Sequence, residues 1–235
     1  MPRAKECNLA DLFRHARAGA LDECRGCPRN PCRRGAIQKV GLDCIFALGC
    51  GFHQRMEPGA VRILFLLQDP SSSPQWPKAV GCEDGHVCPW CHTDSSGRNI
   101  ERLFTEHLSR VLKMDRQGRW PVVFSNGVLH GPLVKREPED EELEHCALVN
   151  RRLVEILRPT LVVAMGVQAR DHVMPPIFGD AARTNAFLEG ARPVALEGKR
   201  HIFWTGHPSG NGFPERAEEM ARSFKAIRRH LMAHP

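Results

Sequence analysis

The chain has 235 residues, 42% hydrophobic and 26% charged, the balance of a globular protein with a sizeable core to bury. No apolar run reaches the roughly 18 residues of a spanning helix, which excludes an integral helical membrane protein, and the opening MPRAKECNLADLF lacks the apolar stretch of an export signal. A net charge of +6 is compatible with a polyanionic partner without requiring one.

In chain order the first regular element is Val61–Leu67 (VRILFLL), an uninterrupted apolar run of strand type. A helical pattern follows at about Asn99–Lys113, with Asp94-Ser95-Ser96 as its start signal. Trp120–Asn126 (WPVVFSN) reads as the second strand. Pro138-Glu139-Asp140 then opens a second helix, Glu139–Leu157. Thr160–Gly166 (TLVVAMG) is the third strand, and a shorter helix is expected near Val167–Met174. Arg200–Gly206 (RHIFWTG) is the fourth strand, and Glu215–His230 the closing helix. Strands apolar at nearly every position are those buried on both faces, and crossovers of this length join parallel strands. The expected fold class is therefore α/β: a three-layer α/β/α sandwich around a central four-stranded, mainly parallel sheet. Residues 1–235 read as a single domain, with Cys-rich and Pro-rich insertions at about 24–58 and 70–96.

Nine of the ten cysteines fall within the first 91 residues, and Tyr is absent altogether. Without an export signal, such clustering points to metal ligation or free thiols before disulfides. Cys88-Pro89-Trp90-Cys91 is open to two readings. As a thioredoxin-like redox pair it should open a helix directly after a strand, which a long intervening loop prevents. Alternatively it is half of a zinc site with Cys44, Cys50 or Cys82. Buried free thiols remain a third account. A zinc deaminase is disfavoured, since the H-x-E and P-C-x-x-C signature is missing.

Ligands of open parallel sheets bind beyond the carboxyl ends of the strands. There the sequence places Gln68-Asp69-Pro70-Ser71 after the first strand, Ser125-Asn126-Gly127 at the end of the second, and His207-Pro208-Ser209 after the fourth. Each taken alone is also ordinary turn chemistry. Together they bring a carboxylate, an amide and an imidazole to one edge of the sheet.

The order strand–QDP, strand–SN, strand–HPS resembles the uracil-DNA glycosylase superfamily, whose members carry a G-Q-D-P or G-E-A-P loop, an Asn closing a middle strand, and a late H-P-S loop. The C-x-x-C-P at Cys24–Pro28, the stretch Ser-Ser-Gly-Arg-Asn-Ile-Glu-Arg-Leu and Cys146 are similar to its iron–sulfur branch. The resemblance runs from about Asp22 to Leu231 and identifies the chain as an outlying member. It implies base-excision repair: hydrolysis of the N-glycosidic bond of uracil, or a related deaminated base, in DNA. Asp69 and His207 would be the catalytic pair. Asp69 would stabilise the sugar cation and orient water, and His207 would donate to O2 of the leaving base. Asn126 would read O4 and N3–H, main-chain groups at Gln68 would complete the pocket, and Ser209 belongs to the same substrate-binding set. A flipped base needs an aromatic stacking partner, for which Trp90 is the candidate and Trp76 its rival. Phe213 stands near the position of the family's Leu wedge. It would fill the vacated stack or else seal a core edge.

Two departures accompany the resemblance: Ser71 stands where the G-Q-D-P-Y-H enzymes carry the Tyr that excludes thymine, and His130 stands where the branch has its third cluster cysteine. The implied cofactor is a [4Fe–4S] cluster on Cys24, Cys27, His130 and Cys146, with zinc in its place or alongside it, and Cys32 as the alternative fourth ligand. The implied partner is DNA containing uracil or another damaged base, with no membrane. The protein is expected to be a monomer in the cytoplasm, associated with the nucleoid. A non-catalytic, metal-containing nucleic-acid-binding module on the same fold and a thiol-redox protein are the competing classes.

Overall fold

The computed structural model describes residues 61–68, 95–113, 121–127, 138–196, 199–208 and 213–235. Its centre is a sheet of the strands β1 (Ile63–Leu67), β2 (Val122–Asn126), β3 (Leu161–Met165), β4 (Val194–Ala195) and β5 (His201–Thr205), in the spatial order β2-β1-β3-β5-β4. The pairs β1–β2, β1–β3 and β3–β5 are parallel, and β4 lies antiparallel on β5. The sheet thus has five strands and not the expected four. The added strand is two residues long and directly follows Pro193, too short to stand out as an apolar run.

The helices are α1 (Ser95–His107), α2 (Asp140–Leu157), α3 (Met174–Phe178), α4 (Asn185–Leu188) and α5 (Phe213–Ala233). The first ends earlier than its apolar pattern implied. After His107 the chain passes into turns: Ser109 N–H reaches five residues back to the Phe104 carbonyl at 3.0 Å, and Val111 N–H three residues back to the Leu108 carbonyl at 3.0 Å. The start of α2 follows from its charges. Asp140, Glu141 and Glu142 sit at the positive end of the helix dipole, and the Glu142 carboxylate accepts the Glu139 N–H at 2.9 Å. At its far end Arg158 adopts a left-handed backbone (φ 48°), and its N–H bonds to the Val154 carbonyl. The short helix expected after β3 is there, but it passes through a π-helical turn, Ala169–Val173, before α3.

The inner strands are buried on both faces, while the edge strand β4 is partly exposed, and the two faces of the sheet feed separate apolar clusters. Leu64, Leu66, Val123, Val162, Ala164 and Ile202 face α2 and the helical segment after β3. Ile63, Phe65, Phe124, Val163, Met165 and Phe203 face α1 and α5. Register and packing agree here: Phe65 is paired with Phe124 across β1 and β2, and their rings stack at 4.8 Å. Phe224 of α5 lies 6.2 Å from Phe65, closing that layer. The alternation of layers follows from handedness. Crossing from β1 to β2 moves one way along the sheet and puts α1 on one face. Crossing from β2 back past β1 to β3 moves the other way and puts α2 on the opposite face. The direction of winding therefore reverses between β1 and β3, the place where a doubly wound sheet opens a crevice. Among the described residues, no helix is long and apolar enough to cross a membrane.

Candidate active site

The parallel register brings the carboxyl ends of four strands to one edge. Leu67 is level with Asn126, and Met165 with Thr205. The next residues, Gln68, Gly127, Gly166 and Gly206, form the rim. Two hydrogen bonds tie that rim across strands: Gly127 N–H to the Leu67 carbonyl and Gly166 N–H to the Thr205 carbonyl, both 2.7 Å.

Sequence spacing alone leaves the two outer polar groups far apart. Asn126 is on β2 and His207 follows β5, three strand intervals away, or roughly 14 Å at the usual interstrand distance. The chain closes part of this gap at Gly166. That residue has φ +97°, a conformation natural to glycine, and a Cβ there would lie 3.1 Å from the Cβ of His207. The half-buried His207 therefore rests on the end of β3, one strand inward from the strand that delivers it. Counted along the sheet, the separation of the two backbone positions falls to two intervals, roughly 10 Å. The Asn99 side chain, in the first turns of α1, holds the same loop from the other layer, its Nδ2 donating to the Pro208 carbonyl at 3.0 Å.

Asn126 is held through its neighbours. Asn150 of α2 is fully buried; its Nδ2 donates to the Gly127 carbonyl at 3.2 Å, and its Oδ1 accepts from Ser125 Oγ at 3.3 Å. One side chain thus clamps the residues on both sides of Asn126. Gly127 is also covered from outside: a Cβ there would collide with both methyls of Val173, 2.8 Å from Cγ1, and lie 3.0 Å from the Gln68 carbonyl oxygen. A turn after Gly166, Arg170 forks onto Asp171 at 2.6 and 2.8 Å while its guanidinium lies 4.6 Å over the Trp204 ring. That hydrogen bond holds the Asp171 carboxyl below the usual carboxylate range.

Of the residues singled out from sequence, Gln68, Asn126 and His207 stand on one rim. Asp69, directly after Gln68, lies outside the described residues, as do Trp90, Trp76, Ser209, Cys24, Cys27 and His130. Phe213 is 5% exposed and belongs to the α1–α5 layer, with the Arg102 guanidinium 4.9 Å over its ring. Of its two proposed roles, sealing the core edge is the one this burial fits, and a wedge would have to leave that packing. Cys146 is buried at 2% exposure on α2, within the apolar layer it shares with Leu143 and Val149. A cavity of about 830 Å³ beside Trp204 and Thr205, walled by Arg222 and Lys225 of α5, is not lined by Gln68, Asn126 or His207.

Asn150, Asn99 and Gly166 were missed. Two of them carried a signal. Asn150 is a polar residue on the apolar stripe of its helix, in phase with Leu143, Cys146, Ala147, Leu153 and Val154. Gly166 ends a buried strand where the chain must turn.

The architecture is that of a doubly wound α/β/α sheet, with the half-buried His207 set against the end of β3 beside the switch point. The sequence profile described as "Uracil DNA glycosylase superfamily" matches residues 53–231, and the chain belongs to that superfamily. Among curated proteins, none matches the chain significantly.

Two substitutions test how the rim is held. Asn150→Ala leaves Ser125 Oγ and the Gly127 carbonyl buried without this partner, and should cost about 1–3 kcal/mol, read as a fall in urea midpoint at constant m-value. Gly166→Ala forces a side chain into a positive φ and against His207, and should cost about 1–3 kcal/mol as well. The two should differ in a 1H–15N spectrum of the imidazole nitrogens. Gly166→Ala moves the His207 signals and Asn150→Ala does not, and unmoved signals in Gly166→Ala would dissociate His207 from the end of β3.

Proposed function

We propose that this protein is a monofunctional DNA glycosylase that releases uracil, or a related deaminated base, from DNA by hydrolysis. Superfamily membership supports a glycosylase-type function on DNA in general. The narrower reading is supported by one observation above others: the approach of His207 to Gly166, which sets that histidine at the end of β3, two strand intervals from the strand that ends in Asn126.

The chemistry follows from the residue types. Breaking the bond between C1′ and the base leaves its electron pair on the base and positive charge on the sugar. Asp69, next to the rim residue Gln68, would stabilise that cation and take the proton of the water that bonds to C1′. His207 would donate a hydrogen bond to O2, so that the base departs as a stabilised anion and collects its proton afterwards. The Asn126 amide offers a donor for O4 and an acceptor for N3–H, a pattern cytosine does not match. The base must leave the stack to reach this edge, and Trp90 or Trp76 would receive it. With Ser71 following Asp-Pro and no Tyr in the chain, exclusion of thymine falls to another group, or the range of bases is broader than uracil.

The reading includes a structural metal centre. Cys24, Cys27 and His130 with Cys146 would hold a [4Fe–4S] cluster, or zinc, tying the N-terminal segment to α2. The buried Cys146 fits a thiolate shielded from water, the condition under which cluster sulfurs are tuned. Such a group would contribute folding free energy and take no part in bond cleavage.

Base release from a uracil-containing oligonucleotide, followed by alkaline strand cleavage, is the direct test. Asp69→Asn and His207→Ala should each lower the single-turnover rate by about 10²–10⁴, with DNA binding retained. Wild-type rates in either variant would remove that residue from the mechanism, and binding without any release by the native protein would return the chain to a non-catalytic binder.

Recognition is tested separately. Asn126→Ala should slow uracil release by roughly 10- to 100-fold, the cost of a lost pair of hydrogen bonds in a closed pocket. Asn126→Asp should release cytosine weakly, because a protonated carboxyl presents the complementary pattern. Undiminished uracil release by Asn126→Ala would mean that the base is read elsewhere.

A further inference from the structure

At the opposite end of the sheet, three histidines meet. His201 opens β5, and His230 and His234 stand one helical turn apart at the end of α5. One ring nitrogen of each lies within 4.8 Å of one from each of the others. The His201 and His230 rings meet edge to face at 4.2 Å, and His230 and His234 stack at 4.2 Å. His230 is 9% exposed, and its Nε2 and His201 Nδ1 are buried with no hydrogen-bond partner. Burying an imidazole nitrogen without a partner is unfavourable, and two such atoms within one group of three neighbouring imidazoles are an unusual way to fill a core edge.

We propose that His201, His230 and His234 form a binding site for a divalent transition metal of the imidazole-preferring class, zinc above all. Neutral imidazole is the commonest ligand for such ions, and three of them with an open position is a standard zinc donor set. The tautomer of one ring is already set for it. His234 Nδ1 lies 3.0 Å from the His230 carbonyl, so that nitrogen carries the proton and donates, leaving Nε2 for the ion. The two orphaned nitrogens of His201 and His230 supply the remaining lone pairs. Small ring rotations bring a 4.8 Å triangle to the closer spacing that bonds of about 2.0–2.1 Å demand. One charge opposes the ion: Arg62, whose guanidinium donates to the carbonyls of Leu231 and His234. That places the site among moderate binders. Its effect would be to fasten the last turn of α5 to the start of β5, roughly 16 Å along the strands from the base-binding rim. It is separate from the cysteine-based centre and independent of the glycosylase reading.

The test uses the full chain and cobalt(II) chloride as the probe, followed by absorption. Imidazole–oxygen ligation gives d–d bands alone, whereas cysteine ligation adds a thiolate-to-cobalt charge-transfer band, so the two kinds of site are told apart. The native protein should show a saturable set of d–d bands from the histidine site that titrates independently of any thiolate band from cobalt on the cysteines. The exposed His234→Gln should weaken that binding by about tenfold or more, since even residues that only support metal ligands cost 10–100-fold when lost. Zinc should raise the melting temperature of the native protein more than that of His234→Gln. Equal cobalt affinity in the two proteins, or cobalt bound solely with the thiolate band, would overturn the proposal.

Discussion

Burial of the strands on both faces governs where polar chemistry can sit in this protein. Ile63, Leu64, Phe65 and Leu66 are all essentially inaccessible, as is every residue of β3. A strand packed between two helical layers has no side chain to spare for a ligand, since a polar group there would be desolvated against hydrocarbon. Function is pushed to the ends. The carboxyl ends gather Gln68, Asn126 and His207, while the amino end beside Arg62 gathers the three histidines. The sheet is thus both a rigid spacer and a reason that the two polar regions do not mix.

Much of this arrangement was legible beforehand because the same burial writes itself into the sequence. Runs such as VRILFLL and TLVVAMG have no polar side to confuse them with half-exposed strands or amphipathic helices. The four long strands were placed within one or two residues, and the helices between them followed from apolar spacing and acidic first turns. What escaped was held by single contacts. The two-residue β4 exists through pairing with Ile202 and His201, a property of tertiary structure and not of its own composition. The early end of α1 reflects hydrogen bonds of Ser109 to Phe104 and Thr105, against an apolar pattern that continues through Leu112. The histidine cluster needed the fold to bring His201 beside a helix that ends some thirty residues later, although the spacing of His230 and His234 showed that those two share a face.

The site residues divide in the same way. Asp69, Asn126 and His207 could be singled out because they belong to short motifs at strand ends, where chemistry is expected. Asn150 and Asn99 act at one remove, and their importance lies in what they hold. Asn150 replaces with two hydrogen bonds what an apolar residue at that position would supply by packing alone, and in doing so fixes the backbone on either side of Asn126. Such a residue is specified by the geometry of the loop it serves, so no local motif announces it.

The segment from Gly166 to Val173 joins both halves of the rim. Its first residue receives His207, and its last covers Gly127 beside the end of β2. Between them lies the π-helical turn, Ala169–Val173, which takes one more residue per turn than an α-helix. Each residue of an α-helix advances its direction by about 100°, so removing the extra residue would swing Val173 a quarter-turn or more away from Gly127 while leaving Gly166 where it is. The turn is therefore what lets one helix start serve two contacts that face different strands. Glycine at both 127 and 166 completes the arrangement, because a side chain at 127 would collide with Val173 and one at 166 would press on His207. A base held between Asn126 and His207 would rest on contacts made by this single stretch of chain. On the glycosylase reading, the selectivity of the site would depend on how well this stretch keeps its place, and not only on the distance between the two polar residues.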